Sequence, residues 1–491
     1  MMTTDSFTEQ AAGTLVEFRR QRETARLRLE AVTDSAMRAA EMLIAHHWKT
    51  GQCLRDAVTL LCEITAHPDP RVADAGVQAL FPALIERLND SFEPANCKLY
   101  DRLFAQVIEF YRRLPEAAAM DRALRDFGLL NEAGLLARKS RITNPQSAIR
   151  NPQSAISKIL LLSRVTIGAD VALTSVIIAK LRDVFPNADF VMLGSRKLRE
   201  LFGGDARIRI REIAYGRGAS TLSRLMSWLD VVEAVNEELR GLNPEESLII
   251  DPDSRLTQLG LLPLVEGDQG YLFFESRGFR REGATHLGQL ASRWLDEVFG
   301  LQGDAFPFVA LPREHRRFGH AIAGSLRHNG PAHLVAISFG VGGNHRKRIS
   351  DEFEQELVEH LLTRSKIILD KGATESEREQ INRMVASLRQ QDRTVVEINE
   401  QNISEVTRQD SIFADVITWD GGIGAFAGLV AASDQYVGYD SAGQHIAAGL
   451  GTPTLTLFVN SNSERFAERW RPYGSGLIRV VNLDSENSDR L

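Results

Sequence analysis

Four stretches of the sequence hold side chains that could bind and transfer a phosphate-activated group. The first is Arg164-Val165-Thr166-Ile167-Gly168-Ala169-Asp170-Val171-Ala172-Leu173-Thr174. It follows an apolar run and opens a segment with helical spacing. A carboxylate at a helix start is kept ionised by backbone amides and can take the proton of an attacking hydroxyl, which suits Asp170. Aspartate is equally at home there as a helix N-cap, so two readings stand on these residues alone.

The second stretch, Val437-Gly438-Tyr439-Asp440-Ser441-Ala442-Gly443-Gln444-His445 and on to Gly451-Thr452-Pro453, is the more specific. Asp440 and Ser441 end a strand and begin a helix, where Ala442, Gly443 and their free backbone N–H groups can receive a diphosphate. His445, one turn further on, can hydrogen-bond a sugar or a phosphate. A bland alternative makes Ser441 an N-cap, His445 a core histidine and Pro453 the lead-in to the next strand. That explains each residue singly but not their joint order.

The third stretch, Gly342-Gly343-Asn344-His345-Arg346-Lys347-Arg348-Ile349, follows an expected strand and offers Lys347 to neutralise phosphate, though a charge run in a loop is also an ordinary solvated turn. The fourth, Lys371-Gly372-Ala373-Thr374-Glu375-Ser376-Glu377, ends another strand. Two further signals are set aside. Asp251-Pro252-Asp253 has a metal-binding form, yet paired acids after a strand are commonplace, and no metal is expected. Gly421-Gly422-Ile423-Gly424 lacks the spacing and strand context of a dinucleotide fingerprint and reads as a turn.

The elements that must position these residues follow from pattern and composition. A chain of 491 residues exceeds one core and suggests about three units. With 43% hydrophobic and 25% charged residues it is a folded globular chain and not a disordered one. A net charge of -7 gives no general attraction to nucleic acid or to an anionic membrane, and leaves only local basic patches for such contacts. Cys53, Cys62 and Cys97 lack zinc-site spacing and read as reduced structural thiols. The N-terminus has no secretory pattern and no apolar run reaches membrane-spanning length, so a cytoplasmic protein is expected.

From about Thr8 to Ala137, helix formers and an apolar stripe (Val77, Leu80, Phe81, Leu84, Leu88) predict an all-helical unit. Asn144-Pro145-Gln146-Ser147-Ala148-Ile149-Arg150 is then repeated almost verbatim as Asn151 to Ser157, and its prolines and polar residues predict a linker. Beyond it, apolar runs alternate with amphipathic helices, the pattern of parallel α/β sheets. Strands are expected at Lys158 to Ser163, Phe190 to Leu193, Leu248 to Ile250, His333 to Ser338, Lys366 to Leu369, near Tyr436, and at Thr454 to Phe458. The expected domains are 1–140 (helical), 141–157 (linker), 158–325 and 326–491 (both α/β), with ligands in the cleft between the last two.

Both end motifs resemble glycosyltransferase family 9, the ADP-heptose heptosyltransferases. Arg164, Asp170 and Thr174 keep the spacing of the family's opening signature, with Ala169 in place of its glycine. Asp440 to Pro453 is similar to its donor motif, with Ala442 in place of a glycine. Lys347 matches its lysine, although Ile349-Ser350 stands where Trp-Pro is usual, and Arg469-Trp470-Arg471-Pro472-Tyr473-Gly474 looks like its closing segment. The resemblance spans about residues 158–474. It implies a GT-B fold of two Rossmann-like doubly wound domains facing a cleft, here with an added N-terminal all-helical domain.

It further implies an inverting, metal-independent transfer without a cofactor. Asp170 would be the base, with Arg164 and Thr174 on the acceptor side. Lys347, Glu377, Asp440, Ser441, Ala442, Gly443 and His445 would hold the donor, Glu377 approaching its nucleoside, with Glu375 an equal alternative for that role. ADP-heptose would be the nucleotide-sugar donor and a lipopolysaccharide core or other glycan the acceptor, with peripheral contact at the cytoplasmic face of the inner membrane. The reading from another class is a catalytically weakened nucleotide-sugar-binding or scaffold protein whose helical domain takes a protein partner. The departures at Ala169, Ala442 and Ile349 keep it open.

Overall fold

A computed structural model describes residues 4–143, 156–216, 220–328, 332–402, 413–460 and 463–483. The chain forms two compact units, Met1–Ser163 with Arg211–Arg280, and Arg164–Ile210 with Arg281–Leu491. Its strands lie in sheets of parallel strands flanked by helices, the α/β arrangement of the GT-B type, preceded by an all-helical N-terminal region.

In the first unit the expected helices form, and local chemistry explains their ends. Asp69 caps the Pro70–Gln78 helix by accepting the Arg71 N–H at 2.9 Å, with proline at the first helical position, where no N–H is needed. The apolar stripe continues through Leu80, Phe81, Leu84 and Leu88, all buried. Pro82 lies inside it, and the chain there, Ala79–Glu86, widens to a π-helix. A proline cannot supply the usual helical N–H, and a wider turn is one way to accommodate it.

The last helix of this region, Glu132–Thr143, runs three residues into the span expected as linker; most of the duplicated heptad, residues 144–155, lies outside the described residues. This helix is bound to the strand-bearing part of the same unit. Arg138 Nε donates to Asp268 at 2.8 Å, and Lys139 Nζ to the Leu259 carbonyl at 2.7 Å. Strand β1 (Lys158–Leu162) pairs in parallel with β4 (Ser247–Asp251), and β4 with β5 (Tyr271–Phe273). Asp251 and Asp253 at the end of β4 are structural. Asp251 accepts from Ser254 N–H, Thr257 and Tyr271, while Asp253 accepts from Ser276 and Arg277 at 2.9 Å each. Among the described residues no group of three His, Cys, Asp or Glu side chains is arranged to hold a metal ion.

Strand β2 (Asp189–Gly194) lies in the second unit and β3 (Ile208–Glu212) falls at the unit boundary; the second unit also carries a seven-stranded parallel sheet. That sheet comprises β6 (His333–Ser338), β7 (Ser365–Asp370), β8 (Val395–Asn399), β9 (Val416–Asp420), β10 (Gln435–Tyr439), β11 (Thr454–Val459) and β12 (Ile478–Leu483), in the order β12-β11-β10-β6-β7-β9-β8. Apolar side chains cover both faces. Leu334, Ala336, Ile368 and Ile417 pack on one side, and Val335, Ile337, Ile367, Leu369 and Val437 on the other. Burial on both faces explains why these strands read as continuous apolar runs. The chain leaves β6 for β7, β8 and β9 on one flank, then returns to place β10 on the other. The β6/β10 boundary is therefore a topological switch point, the place where open parallel sheets bind ligands beyond their strand ends.

Candidate active site

Every site residue expected from the sequence lies in the second unit, and the structure brings most of them into two hydrogen-bonded clusters. The first is built on the turn after β1. Val165 has φ +60, a conformation that costs a β-branched residue energy and marks this loop as held by its surroundings. A helix starts at Ile167 and passes through a π-helical turn, Asp170–Thr174, before the regular Ser175–Val184 segment; such turns recur at functional sites.

Asp170 opens this wide turn with helical dihedrals, φ -66 and ψ -38, so it is not an N-cap. Its Oδ1 accepts the Arg164 backbone N–H at 2.8 Å and the Thr174 hydroxyl at 3.0 Å. Arg164 and Thr174 therefore fix the carboxylate through one oxygen, and Asp170 and Thr174 are almost wholly buried. The Arg164 guanidinium stands 5.8 Å from the centre of the Trp470 ring.

The second cluster sits at the switch point. Lys347, from the loop after β6, reaches Asp440, from the end of β10, in a 2.5 Å ion pair. Asp440 Oδ1 accepts from Gln444 Nε2 at 2.7 Å, and the same amide nitrogen lies 3.3 Å from His445 Nε2 and 3.2 Å from the Trp470 carbonyl oxygen. Burial pulls His445 down to about 4, with Asp440 opposing and Lys347 assisting, so the ring is uncharged near neutrality. It can then offer a hydrogen bond to an anion without adding charge.

Ser441 occupies the N-cap position of the Ala442–Leu450 helix, but its side chain caps no backbone N–H. Amides of the first turn are left for another acceptor. Gly443 is required by packing: a Cβ there would fall on the Tyr436 hydroxyl.

The elements carrying the two clusters also pack on each other at Gly168. A Cβ placed on Gly168 would lie 3.0 Å from Ala442 Cα, 3.2 Å from His445 Cδ2 and 3.5 Å from the Ala442 methyl. The turn that presents Asp170 thus packs directly on the start of the helix that presents Ser441 and His445.

Glu377 is used differently from its expected neighbours. It completes a capping box with Thr374, and its four acceptor positions take the backbone N–H groups of Val341, Gly342, Ala373 and Thr374 at 2.8 to 3.0 Å. Burial alone would raise this carboxyl, yet the N–H groups of Thr374, Val341 and Ala373 hold it below its ordinary value. It staples the loop after β6 to the loop after β7. Glu375 is exposed and paired with Arg378.

Sequence reasoning missed three participants. Gln444 is fully buried and is the hub of the Lys347 cluster. Trp470 touches both clusters, edge-on to His445 at 6.0 Å and beside Arg164. Asp370, at the end of β7, accepts the Ser338 hydroxyl at 2.9 Å; burial raises it to about 6 against the pull of Ser338 and the Gly372 N–H. Trp470 was legible as part of the closing segment and Gln444 as a polar residue between Asp440 and His445. Asp370 gave no signal beyond ending an apolar run.

Residues 421–490 match the family model described as glycosyltransferase family 9 (heptosyltransferase). No curated protein matches the chain. Among solved structures, the family 9 glycosyl transferase from Veillonella parvula DSM 2008 is 14% identical, with 68% of this chain and 89% of that one covered at a TM-score of 0.50. The E. coli ADP-heptose lps heptosyltransferase II is 14% identical over 66% of this chain and 90% of its own, TM-score 0.43. The E. coli heptosyltransferase WaaC with ADP is 15% identical over 66% and 93%, TM-score 0.43. The Veillonella structure shows a shared fold. The chain is therefore similar to glycosyltransferase family 9 by the sequence of residues 421–490 and by the fold of 68% of its length.

Proposed function

We propose that the protein is an inverting glycosyltransferase that moves a sugar, heptose, from a nucleoside diphosphate to a glycan acceptor. ADP-heptose is the donor and a lipopolysaccharide core the acceptor in this reading, with the enzyme working in the cytoplasm. The observation that carries it is the packing of the Asp170 turn on the uncapped start of the Ala442–Leu450 helix, which puts a buried carboxylate beside an anion-ready helix end.

In the transfer, the acceptor oxygen attacks the anomeric carbon and its proton passes to Asp170. The bond from that carbon to the diphosphate oxygen breaks, and the diphosphate leaves with the electron pair. Amides at Ala442 and Gly443 meet the growing phosphate charge, and Lys347, already held at the site by Asp440, shares its charge with the leaving group. Charge is thereby handled by protein groups, and transfer proceeds without a divalent ion.

The test is release of ADP from ADP-heptose with a lipopolysaccharide-core acceptor, with and without excess chelator. Equal turnover in both is expected. Binding of ADP-heptose without any turnover would replace this reading with that of a nucleotide-sugar-binding protein. Loss of turnover that a divalent ion restores would overturn its metal independence.

A further inference from the structure

We infer that Asp370, Ser338, Tyr436 and Ser441 form a hydrogen-bond chain across the strand ends, whose direction decides whether the Ser441 hydroxyl donates to the phosphate of a nucleotide sugar. The inference rests on the glycosyltransfer reading for its ligand, a phosphate at the start of the Ala442–Leu450 helix. In the parallel register Gly438 of β10 stands beside Ser338 of β6, and Ser338 beside Asp370 of β7, so one row of positions crosses three strand ends on one face of the sheet. Gly438 adds no side chain to that row. Its place is taken by Tyr436, two residues earlier on the same face, whose phenol lies along β10. A Cβ on Gly438, or on Gly443 in the helix, would fall on the Tyr436 hydroxyl. The two glycines thus clear a slot that delivers one hydroxyl from the core to the first turn of the helix.

Packing alone does not call for that hydroxyl. Tyr436 is fully buried, and its oxygen makes no hydrogen bond of good geometry among the described residues, although the Ser338 and Ser441 hydroxyls stand beside it. Phenylalanine would fill the same slot without stranding a polar atom, which is costly in a core. Ser338 Oγ and Asp370 Oδ2 are joined at 2.9 Å. Ser441, half-buried at the helix start, caps no backbone N–H. The four groups therefore stand in order from the carboxyl to the helix start, and the last of them faces the place of the phosphate.

Each hydroxyl has one proton to give and lone pairs to receive, so the chain runs one of two ways. With Asp370 protonated, its O–H donates to Ser338, Ser338 donates to Tyr436 and Tyr436 to Ser441, which leaves the Ser441 proton for a phosphate oxygen beside the first-turn amides. With Asp370 ionised, every hydroxyl turns toward the carboxylate, and Ser441 shows the phosphate only lone pairs. Passing between the two rotates three O–H bonds and adds or removes one proton, at Asp370. Desolvation lifts this carboxyl to about 6, against the pull of Ser338 and the Gly372 N–H, so both forms are within reach near neutrality. The charged groups around it are engaged elsewhere: Glu377 on four backbone amides, Asp420 with Arg378 at 3.2 Å, and Lys371 with Glu397 at 2.5 Å. At the far end Asp440 holds Lys347, and His445 is uncharged well above about 4.

The phosphates of ADP-heptose keep a constant charge near neutrality, so calorimetric titration of the full chain from about pH 8 down to about pH 5.5 reads the protein's own proton. Affinity should rise at least about tenfold from pH 8 to pH 6 and level off below, since only the protonated fraction presents the Ser441 proton. Y436F cuts the chain without losing volume. Its affinity should stay flat with pH, near the wild-type value of pH 8, with a melting temperature unchanged or higher. D370N should be flat too, but at the high value, because the Gly372 N–H takes its oxygen and leaves the amide nitrogen to donate to Ser338. A purely structural Tyr436 would shift the melt and keep the slope. A flat wild type, a Y436F profile that keeps the slope, or D370N binding at the low value would each overturn the inference. Inorganic sulfate, which has a constant charge and no nucleoside, is titrated in parallel. If sulfate shows the slope where ADP-heptose does not bind, the chain stands and the glycosyltransfer reading falls; if neither binds, both fall.

Discussion

Replacing Asp170 by asparagine isolates the base from the scaffold that holds it. Oδ1 of Asp170 receives the Arg164 N–H at 2.8 Å and the Thr174 hydroxyl at 3.0 Å, and an asparagine carbonyl oxygen can occupy the same place and accept both bonds. Losing either bond and stranding a buried donor would cost about 1 to 3 kcal/mol. Keeping both leaves the fold intact, and a buried amide is cheaper to desolvate than a buried carboxylate. What asparagine cannot do is accept the acceptor's proton. A positioned base contributes on the order of 10² to 10⁴ in rate, so kcat should fall by that factor while ADP affinity and the melting temperature hold. Stopped-time assays of ADP release, run beside calorimetric titration and thermal melts, give the three readings. A kcat within about fivefold of wild type, with an unchanged melt, would remove Asp170 from the base role and leave it as a brace for the wide turn.

Three further outcomes follow from the geometry. Gly168→Ala puts a methyl 3.0 Å from Ala442 Cα and 3.2 Å from His445 Cδ2, an overpacking that should cost about 1 to 3 kcal/mol in denaturant unfolding and weaken ADP binding. Because the tightest contact is with a backbone carbon, adding Ala442→Gly should restore only part of the loss, and full rescue would contradict this packing. Glu377→Gln leaves one carbonyl oxygen for four N–H donors, so unfolding should come earlier by on the order of 3 kcal/mol; an unchanged unfolding midpoint would show that the two loops do not depend on it. Asp370 has a folded value of about 6 against 3.8 unfolded, so the folded state binds the extra proton and wild type gains stability as pH falls from 6 to 4. Asp370→Asn removes that gain, so relative to wild type it should be favoured by about 1 to 3 kcal/mol above pH 6 and lose that advantage below pH 4. Parallel stability curves would refute the shift.

The parts of this fold legible in the sequence are those set by local order. Parallel strands buried on both faces show as apolar runs, and a strand that hands over to a helix shows its chemistry in the next few residues, as Asp440 to His445 do. What stayed hidden depends on segments far apart in the chain. Glu377 looked like a ligand-facing carboxylate because nothing local reveals that the Val341 and Gly342 amides arrive beside it. The Lys347–Asp440 pair joins residues 93 positions apart, and Gln444 becomes its hub only when both are present. The helical region read as a separate body, yet it clusters with β1, β4 and β5, through buried contacts such as Arg138 with Asp268 that apolar periodicity does not report.

The departure at Ala442 shows how a motif can change without losing its chemistry. Read along the sequence, an added methyl at a helix start threatens a backbone that must approach phosphate closely. In three dimensions the methyl lies 3.5 Å from the position a Cβ would take on Gly168, farther than its own Cα at 3.0 Å, so it runs alongside the Asp170 turn and does not point into it. Gly168, which carries no side chain, supplies the space. The amide at residue 442 is aimed by the helix and not by the side chain, so it remains at the open end of the first turn whichever residue stands there. The substitution therefore acts on the fit between the proton-accepting turn and the phosphate-binding helix. Because Gly168 leaves no room for a side chain against Ala442 and His445, the two elements pack closely, and a shift in either is felt by the other. If that coupling holds, ADP bound at the helix start should slow exchange of the Gly168 and Asp170 amides as well as those of the helix itself. Protection confined to residues 441–445 would mean that the two halves of the site move independently.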